Sequence, residues 1–171
     1  MSLSIGDPVP TFSLPDAAGG EDGLGENTPA VVVFTCNHCP YALAWHDRIL
    51  DVARDYDVPV LLVNPNDGER YPRDSFDAMK QRIQADGNWP APYLRDEDQT
   101  VARAYGAKTT PDVFVIARDG TLAYRGAPDA DHQDPSQGGA WLRGALDAVL
   151  EGRPAQPAET EPVGCSVKWK A

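Results

Sequence analysis

The chain has 171 residues, 42% of them hydrophobic, and carries 15 Lys and Arg against 26 Asp and Glu, a formal charge of −11. That length suits one domain with a sizeable core. The acidic surplus argues against nucleic acid and anionic membrane surfaces as partners, because both would repel it. The same balance fits plain solubility or the salt-rich cytoplasm of a halophile, where charge screening acts over a few ångströms. The first residues, Met-Ser-Leu-Ser-Ile-Gly-Asp-Pro, lack the basic start and apolar run of a secretory signal. No apolar stretch approaches the ~18–20 residues of a membrane span. The expected location is therefore cytoplasmic, where thiols are kept reduced and a structural disulfide is not expected.

In chain order, residues 5–14 read as a Pro-punctuated entry segment with one short strand, and 15–29 as turns. Residues 30–35 form an apolar, β-branched strand. Tyr41 to Tyr56 places Tyr41, Trp45, Ile49 and Val52 on one helical face. Val58–Val63 is a second apolar strand. Asp74-Ser75-Phe76 opens a helix that stops near Gly87. Ala91–Leu94 reads as a short strand, and Asp98–Tyr105 as a short helix closed by Gly106. Val113–Ala117 and Thr121–Arg125 flank Asp119-Gly120, a two-residue hairpin signal. Residues 127–139 are loop, and Trp141–Leu150 is a final helix. The order predicts an α/β fold with a mixed central sheet, a parallel pair followed by an antiparallel hairpin, and helices on both faces. Residues 1–151 make the domain. Residues 152–171 make an extended, Pro-rich C-terminal tail ending in Gly-Cys-Ser-Val-Lys-Trp-Lys-Ala.

The chemistry concentrates in Cys36-Asn37-His38-Cys39-Pro40, where the first core strand gives way to a helix. A helix start carries partial positive charge and free N–H groups, both of which favour a thiolate. His38 adds a second possible positive charge. A CxxC at such a junction in a cytosolic chain reads as a redox pair. On this reading Cys36 attacks, its pKa lowered by the helix end and His38, and Cys39 resolves the mixed disulfide. Cys165 follows a flexible stretch, Arg153–Pro162, that could fold back, so it is a candidate second resolving cysteine or a shield for Cys36. Arg125 reads as a member of a surface ion pair.

Several motifs carry a family likeness. The element order, the CxxC and Thr110-Pro111 before the third core strand resemble the thioredoxin fold. There a cis proline faces the CxxC, which would place Thr110 and Pro111 at the active site. Gly-Asp-Pro-Val-Pro-Thr-Phe-Ser-Leu-Pro-Asp at 6–16 resembles the entry of the peroxiredoxin (AhpC/TSA) superfamily. Cys-Asn-His-Cys-Pro-Tyr at 36–41, Tyr-Gly-Ala-Lys-Thr-Thr-Pro-Asp at 105–112, Tyr-Arg-Gly at 124–126 and Gly-Cys-Ser-Val-Lys-Trp at 164–169 resemble its peroxiredoxin-like members with a CxxC. Typical members place Thr or Ser three residues before the peroxidatic cysteine; Val33 stands there for Cys36.

The resemblance implies thiol–disulfide exchange, or thiol-dependent hydroperoxide reduction with Cys36 oxidised to a sulfenic acid. Partners would be protein or small-molecule thiols and disulfides, or a hydroperoxide, and an external reductant such as a thioredoxin-like protein. Neither reaction needs a cofactor. Two competing classes remain: metal binding by a subset of Cys36, Cys39, His38, His46 and Cys165, and a non-catalytic interaction module. No second CxxC supports a closed zinc site.

Overall fold

The computed structural model describes residues 3–26 and 28–171. The chain enters through an antiparallel hairpin of β1 (Phe12–Pro15) and β2 (Glu21–Leu24). β2 lies in the stretch expected to be turns. Its Glu-Asp-Gly-Leu sequence has no β-branched residue, and it is a strand because β1 pairs with it. At Gly23 a Cβ would collide with the Phe12 carbonyl, so this close approach requires glycine.

The central sheet has five strands: β3 (Ala30–Phe34), β4 (Val60–Asn64), β5 (Tyr93–Arg95), β7 (Asp112–Ile116) and β8 (Leu122–Gly126), in the order β5-β4-β3-β7-β8. β3, β4 and β5 run parallel to one another; β7 and β8 are antiparallel to their neighbours. The mixed sheet of the sequence reading is therefore present. The hairpin turn differs from expectation. Ala117 N bonds to Thr121 O and Gly120 N to Ala117 O, with Gly120 at φ 84°. The loop thus holds three residues, and Gly120 takes the left-handed position that a three-residue hairpin needs.

Alternation along the strands divides the core in two. Val31, Val33, Val60, Leu62, Val113 and Val115 face α1 (Pro40–Asp55), α2 (Phe76–Asp86) and α4 (Ala140–Leu150). Val32, Phe34, Leu61, Val63, Phe114 and Ile116 face α3 (Thr100–Tyr105) and the entry segment. β3, β4 and β7 are buried throughout, which is why they read as unbroken apolar runs. Each fully buried Val, Leu or Phe contributes roughly 1.5–3 kcal/mol of transfer free energy.

The tail is held along its length. Arg125 N donates to Ala158 O and Thr160 N to Arg125 O, while Thr160 Oγ1 accepts from Ala127 N at 3.0 Å. Further on, β9 (Cys165–Ser166) pairs antiparallel with β6 (Thr109–Thr110). Val167 is buried among the residues that face α3, and Arg103 lies 4.5 Å over the Trp169 ring. No helix among the described residues is long and apolar enough to cross a membrane.

Candidate active site

β3 ends at Phe34, and Thr35 continues its pairing by donating to Val63 O. Cys36, Asn37 and His38 then form the loop, with Cys39 at the N-cap of α1 and Pro40 in its first turn. Proline suits that place because its missing N–H would have no partner there. Cys36 and Cys39 are 1% and 0% exposed. Together with Ala42 they form a small cluster, and Tyr41 and Cys165 pack against it. All three cysteines are free thiols.

Thr110 is where these groups converge. Its bond to Pro111 is cis. Its hydroxyl lies 3.2 Å from Cys36 Sγ, and Cys39 Sγ donates to its carbonyl at 3.2 Å. Its backbone pairs with Cys165 through β6 and β9. The sequence positions Cys36, Cys39, Thr110, Pro111 and Cys165 thus meet in one place, although up to 129 residues separate them along the chain (165 − 36). The hydroxyl missing at Val33 is supplied to Cys36 from a different strand.

The charge of the pair is distributed differently from the sequence reading. Contact with Cys39 pushes the Cys36 thiol up, and burial and the nearby Asp74 carboxylate push the same way against the Thr110 hydroxyl. Cys39 is pulled down, first by its contact with the Cys36 thiol, then by the Cys165 thiol and the amides of Ala42 and Cys165. The Ala42 amide lies in the first turn of α1, where the helix end favours negative charge, and the Cys165 amide comes from β9. Burial opposes charge on Cys39, and the donors outweigh it. The two thiols ionise as one interacting pair, with Cys39 the more acidic member. The expected lowering at Cys36 is therefore corrected: Cys36 is pushed up, and the lowering falls on Cys39, first through its contact with Cys36.

Beneath the loop lies a polar cluster that sequence reasoning missed. Asp74, expected to open a helix, instead ends a 3-10 turn (Pro72–Asp74), and Ser75 caps α2. Asp74 is fully buried. It accepts from Asn37 N (2.6 Å), Asn64 Nδ2 (3.2 Å) and Asn66 Nδ2 (3.0 Å). Asn37 Oδ1 accepts from Tyr93 Oη (2.6 Å) and Arg82 Nη1 (2.9 Å). These bonds hold the CxxC loop by its second residue, so its geometry is fixed without a proline there. His38 Nδ1 lies 2.5 Å from Asp74 Oδ2 but is out of line for a hydrogen bond. Its ring stacks on Tyr71 at 5.9 Å and 4°. The signal available in the sequence was Asn64, a polar residue closing an otherwise apolar strand.

Other expected residues fall elsewhere. His46 is on α1, its ring 4.4 Å from that of Trp89 and tilted by 55°; burial holds its pKa down at about 4. Arg125 is no surface residue: it is 5% exposed, 3.7 Å from Asp112 Oδ2, and donates to Leu3 O and Gly106 O. Among the described residues, one three-ligand grouping has metal-like spacing: Cys36, His38 and Asp74, with donor atoms within 4.8 Å of one another. Both Asp74 oxygens already accept amide hydrogens.

A parallel and antiparallel mixed sheet with a CxxC at the N-terminus of its first long helix, facing a cis proline, is a thioredoxin-like arrangement. The chain belongs to the AhpC/TSA family, whose model matches residues 5–125. Among solved structures, an uncharacterized conserved protein from Geobacillus kaustophilus is 38% identical, with 98% of this chain and 93% of that one covered at a TM-score of 0.88. A hypothetical protein from Sinorhizobium meliloti is 34% identical, with 100% and 97% covered and a TM-score of 0.89. A protein from Chlorobium tepidum carrying the assignment thiol:disulfide interchange protein DsbE is 25% identical, with 87% and 99% covered and a TM-score of 0.67. No curated protein matches the chain.

Proposed function

We propose that the protein is a thiol–disulfide oxidoreductase working through Cys36 and Cys39. The observation that carries this reading is the convergence of both sulfurs on Thr110, one at its hydroxyl and one at its carbonyl, each at 3.2 Å. Cys36 attacks a partner disulfide and Cys39 resolves the mixed disulfide, releasing the partner's thiol and leaving Cys36–Cys39. For Cys36 to attack, its proton passes to Cys39 along the contact between them, and the Thr110 hydroxyl then donates to the Cys36 thiolate. The interchange assignment of the Chlorobium tepidum protein supports the same class. Partners are thiols and disulfides of proteins or small molecules in the cytoplasm, with a thioredoxin-like reductant.

Cys39→Ser tests the order of events. It should accumulate mixed disulfides on Cys36 in cells, whereas Cys36→Ser should not. Trapping by Cys36→Ser instead would reverse the roles of the two cysteines, and trapping by neither would remove exchange as the function.

The Thr110 hydroxyl at Cys36 also favours a second reading, hydroperoxide reduction, because a hydroxyl beside the sulfur can orient a peroxide. The discriminating measurement is the rate of the reduced protein with hydrogen peroxide in high salt, with Cys36→Ser as control. A rate well above that of a free thiol, lost in the variant, means a peroxidase; a free-thiol rate leaves exchange alone.

A further inference from the structure

The tail lies where an extended partner peptide would dock. β9 adds a strand to β6, the two-residue segment that ends at the cis proline. Strand addition of this kind is a common way to bind an extended peptide, because main-chain hydrogen bonds supply the affinity. The fit is close: at Gly164 a Cβ would collide with the Thr110 carbonyl and come within 3.2 Å of Pro111 N. Bonds beyond β9 fix the register. Val167 N donates to Lys108 O, Asp67 N to Lys168 O, and Lys168 N to Asn66 Oδ1. Gln99 clamps the end, its Nε2 donating to Lys168 O at 3.0 Å and its Oε1 accepting from Lys170 N at 2.9 Å. In this register Cys165 sits opposite Thr110 and packs against the cluster of Cys36, Cys39 and Ala42.

We infer that the tail is an internal partner of the redox pair and that Cys165 is a third redox-active cysteine, taking the disulfide from Cys36–Cys39. This rests on the exchange reading above and extends it. In the oxidised protein the Cys165 thiolate attacks Cys39 Sγ. The Cys36–Cys39 bond breaks as the Cys39–Cys165 bond forms. Cys36 leaves as a thiolate and takes up the proton that Cys165 gave away. One disulfide replaces another, so no electrons enter or leave the chain and no oxidant is consumed. Burial first, and then contact with Cys39, keep the proton on Cys165 in the reduced protein; the contact with an ionisable Cys39 is gone once Cys39 is in a disulfide. Cys165 is partly exposed whereas Cys36 and Cys39 are buried, so the transfer moves the disulfide from a closed site to one a reductant reaches. It also returns Cys36 to the free state.

The test is a time course on the full-length protein. The reduced chain is treated with one equivalent of diamide, quenched in acid, alkylated and mapped without reduction. The expected result is Cys36–Cys39 first, then Cys39–Cys165 with Cys36 alkylated. Cys165→Ser should hold Cys36–Cys39 throughout. Gly164→Ala, which lifts the tail from the Thr110 carbonyl, should still form Cys36–Cys39 but slow the transfer on the order of 100-fold, as expected for about 1 Å of misplacement. A wild-type protein that keeps Cys36–Cys39 with Cys165 alkylated overturns this inference and leaves the exchange reading standing. Failure of wild type and Cys165→Ser alike to form Cys36–Cys39 overturns both.

Discussion

Two buried carboxylates, Asp129 and Asp74, are surrounded very differently. Asp129 lies under the loop before α4 and is met by a cation: Arg48 Nη1 lies 2.9 Å from its Oδ2, Trp45 Nε1 donates at 2.8 Å and Gly139 N at 2.9 Å. Asp74 lies under the CxxC loop with its carboxylate held by amides, the His38 ring 2.5 Å away and Cys36 Sγ within 4.8 Å. The Asp129 charge is balanced locally and serves to fasten α1 to the loop. The Asp74 charge is solvated by amide dipoles but not cancelled, so its field reaches Cys36. The contrast teaches that burial and hydrogen bonding alone do not make a carboxylate purely structural: Arg95 donates to the Asp74 backbone carbonyl at 2.9 Å rather than to its carboxylate.

The largest effect should come from breaking the balanced site. Asp129→Asn strands the Arg48 guanidinium in the interior and should cost about 3–5 kcal/mol in denaturant unfolding. The pH profile of cysteine alkylation by iodoacetamide should stay in place. A shifted profile would mean that the two carboxylates are coupled.

Asp112 stands between the extremes: Arg125 is 3.7 Å away, one oxygen has no partner, and burial pushes its pKa up to about 6 from 3.8. Between those values the native protein holds a proton that the unfolded chain has released, so stability falls as pH rises through the window. The contribution is roughly 3 kcal/mol, at about 1.4 kcal/mol per pKa unit. Asp112→Asn should remove this slope when its stability at pH 4 and pH 6 is compared with wild type. An unchanged slope would show that Arg125 balances Asp112 as Arg48 balances Asp129.

Asp74→Asn should cost less, about 1–3 kcal/mol, because amide donors rather than a cation lose their acceptor. It should also move the second ionisation of the Cys36–Cys39 pair to lower pH, read by the alkylation profile. A profile identical to wild type would make Asp74 structural. The floor of the series is the exposed pair Arg54–Asp51, 3.0 Å apart with both side chains more than half exposed. Asp51→Asn should change stability by no more than about 0.5 kcal/mol.

Long, strongly patterned elements were legible in the chain. The three inner strands announce themselves as unbroken apolar runs, and the helices by their apolar spacing and, at Ser75 and Gly106, by their caps. The CxxC was legible because its meaning depends on a local junction. What was hidden depends on partners far away in sequence. β2 and β9 are strands only because other segments pair with them. Asp74 reads as an ordinary helix-start residue until Asn37, 37 positions away, donates its amide to it. The lowered pKa of Cys39 owes part to Cys165, which only the folded tail brings near. Arg125 looked like a surface charge because nothing local shows that Asp112 faces it across the sheet.

β8 is the outer strand at its side of the sheet. Such a strand ordinarily exposes N–H and C=O groups that invite a second chain to add itself. Here Ala158 and Thr160 take up the backbone groups of Arg125, and the Thr160 hydroxyl takes up Ala127 N. Along 125–127 those groups are already spent. The Pro-rich stretch therefore guards the sheet against edge-to-edge growth between copies of the protein, while its proline residues withhold donors from any strand that approaches from the outside.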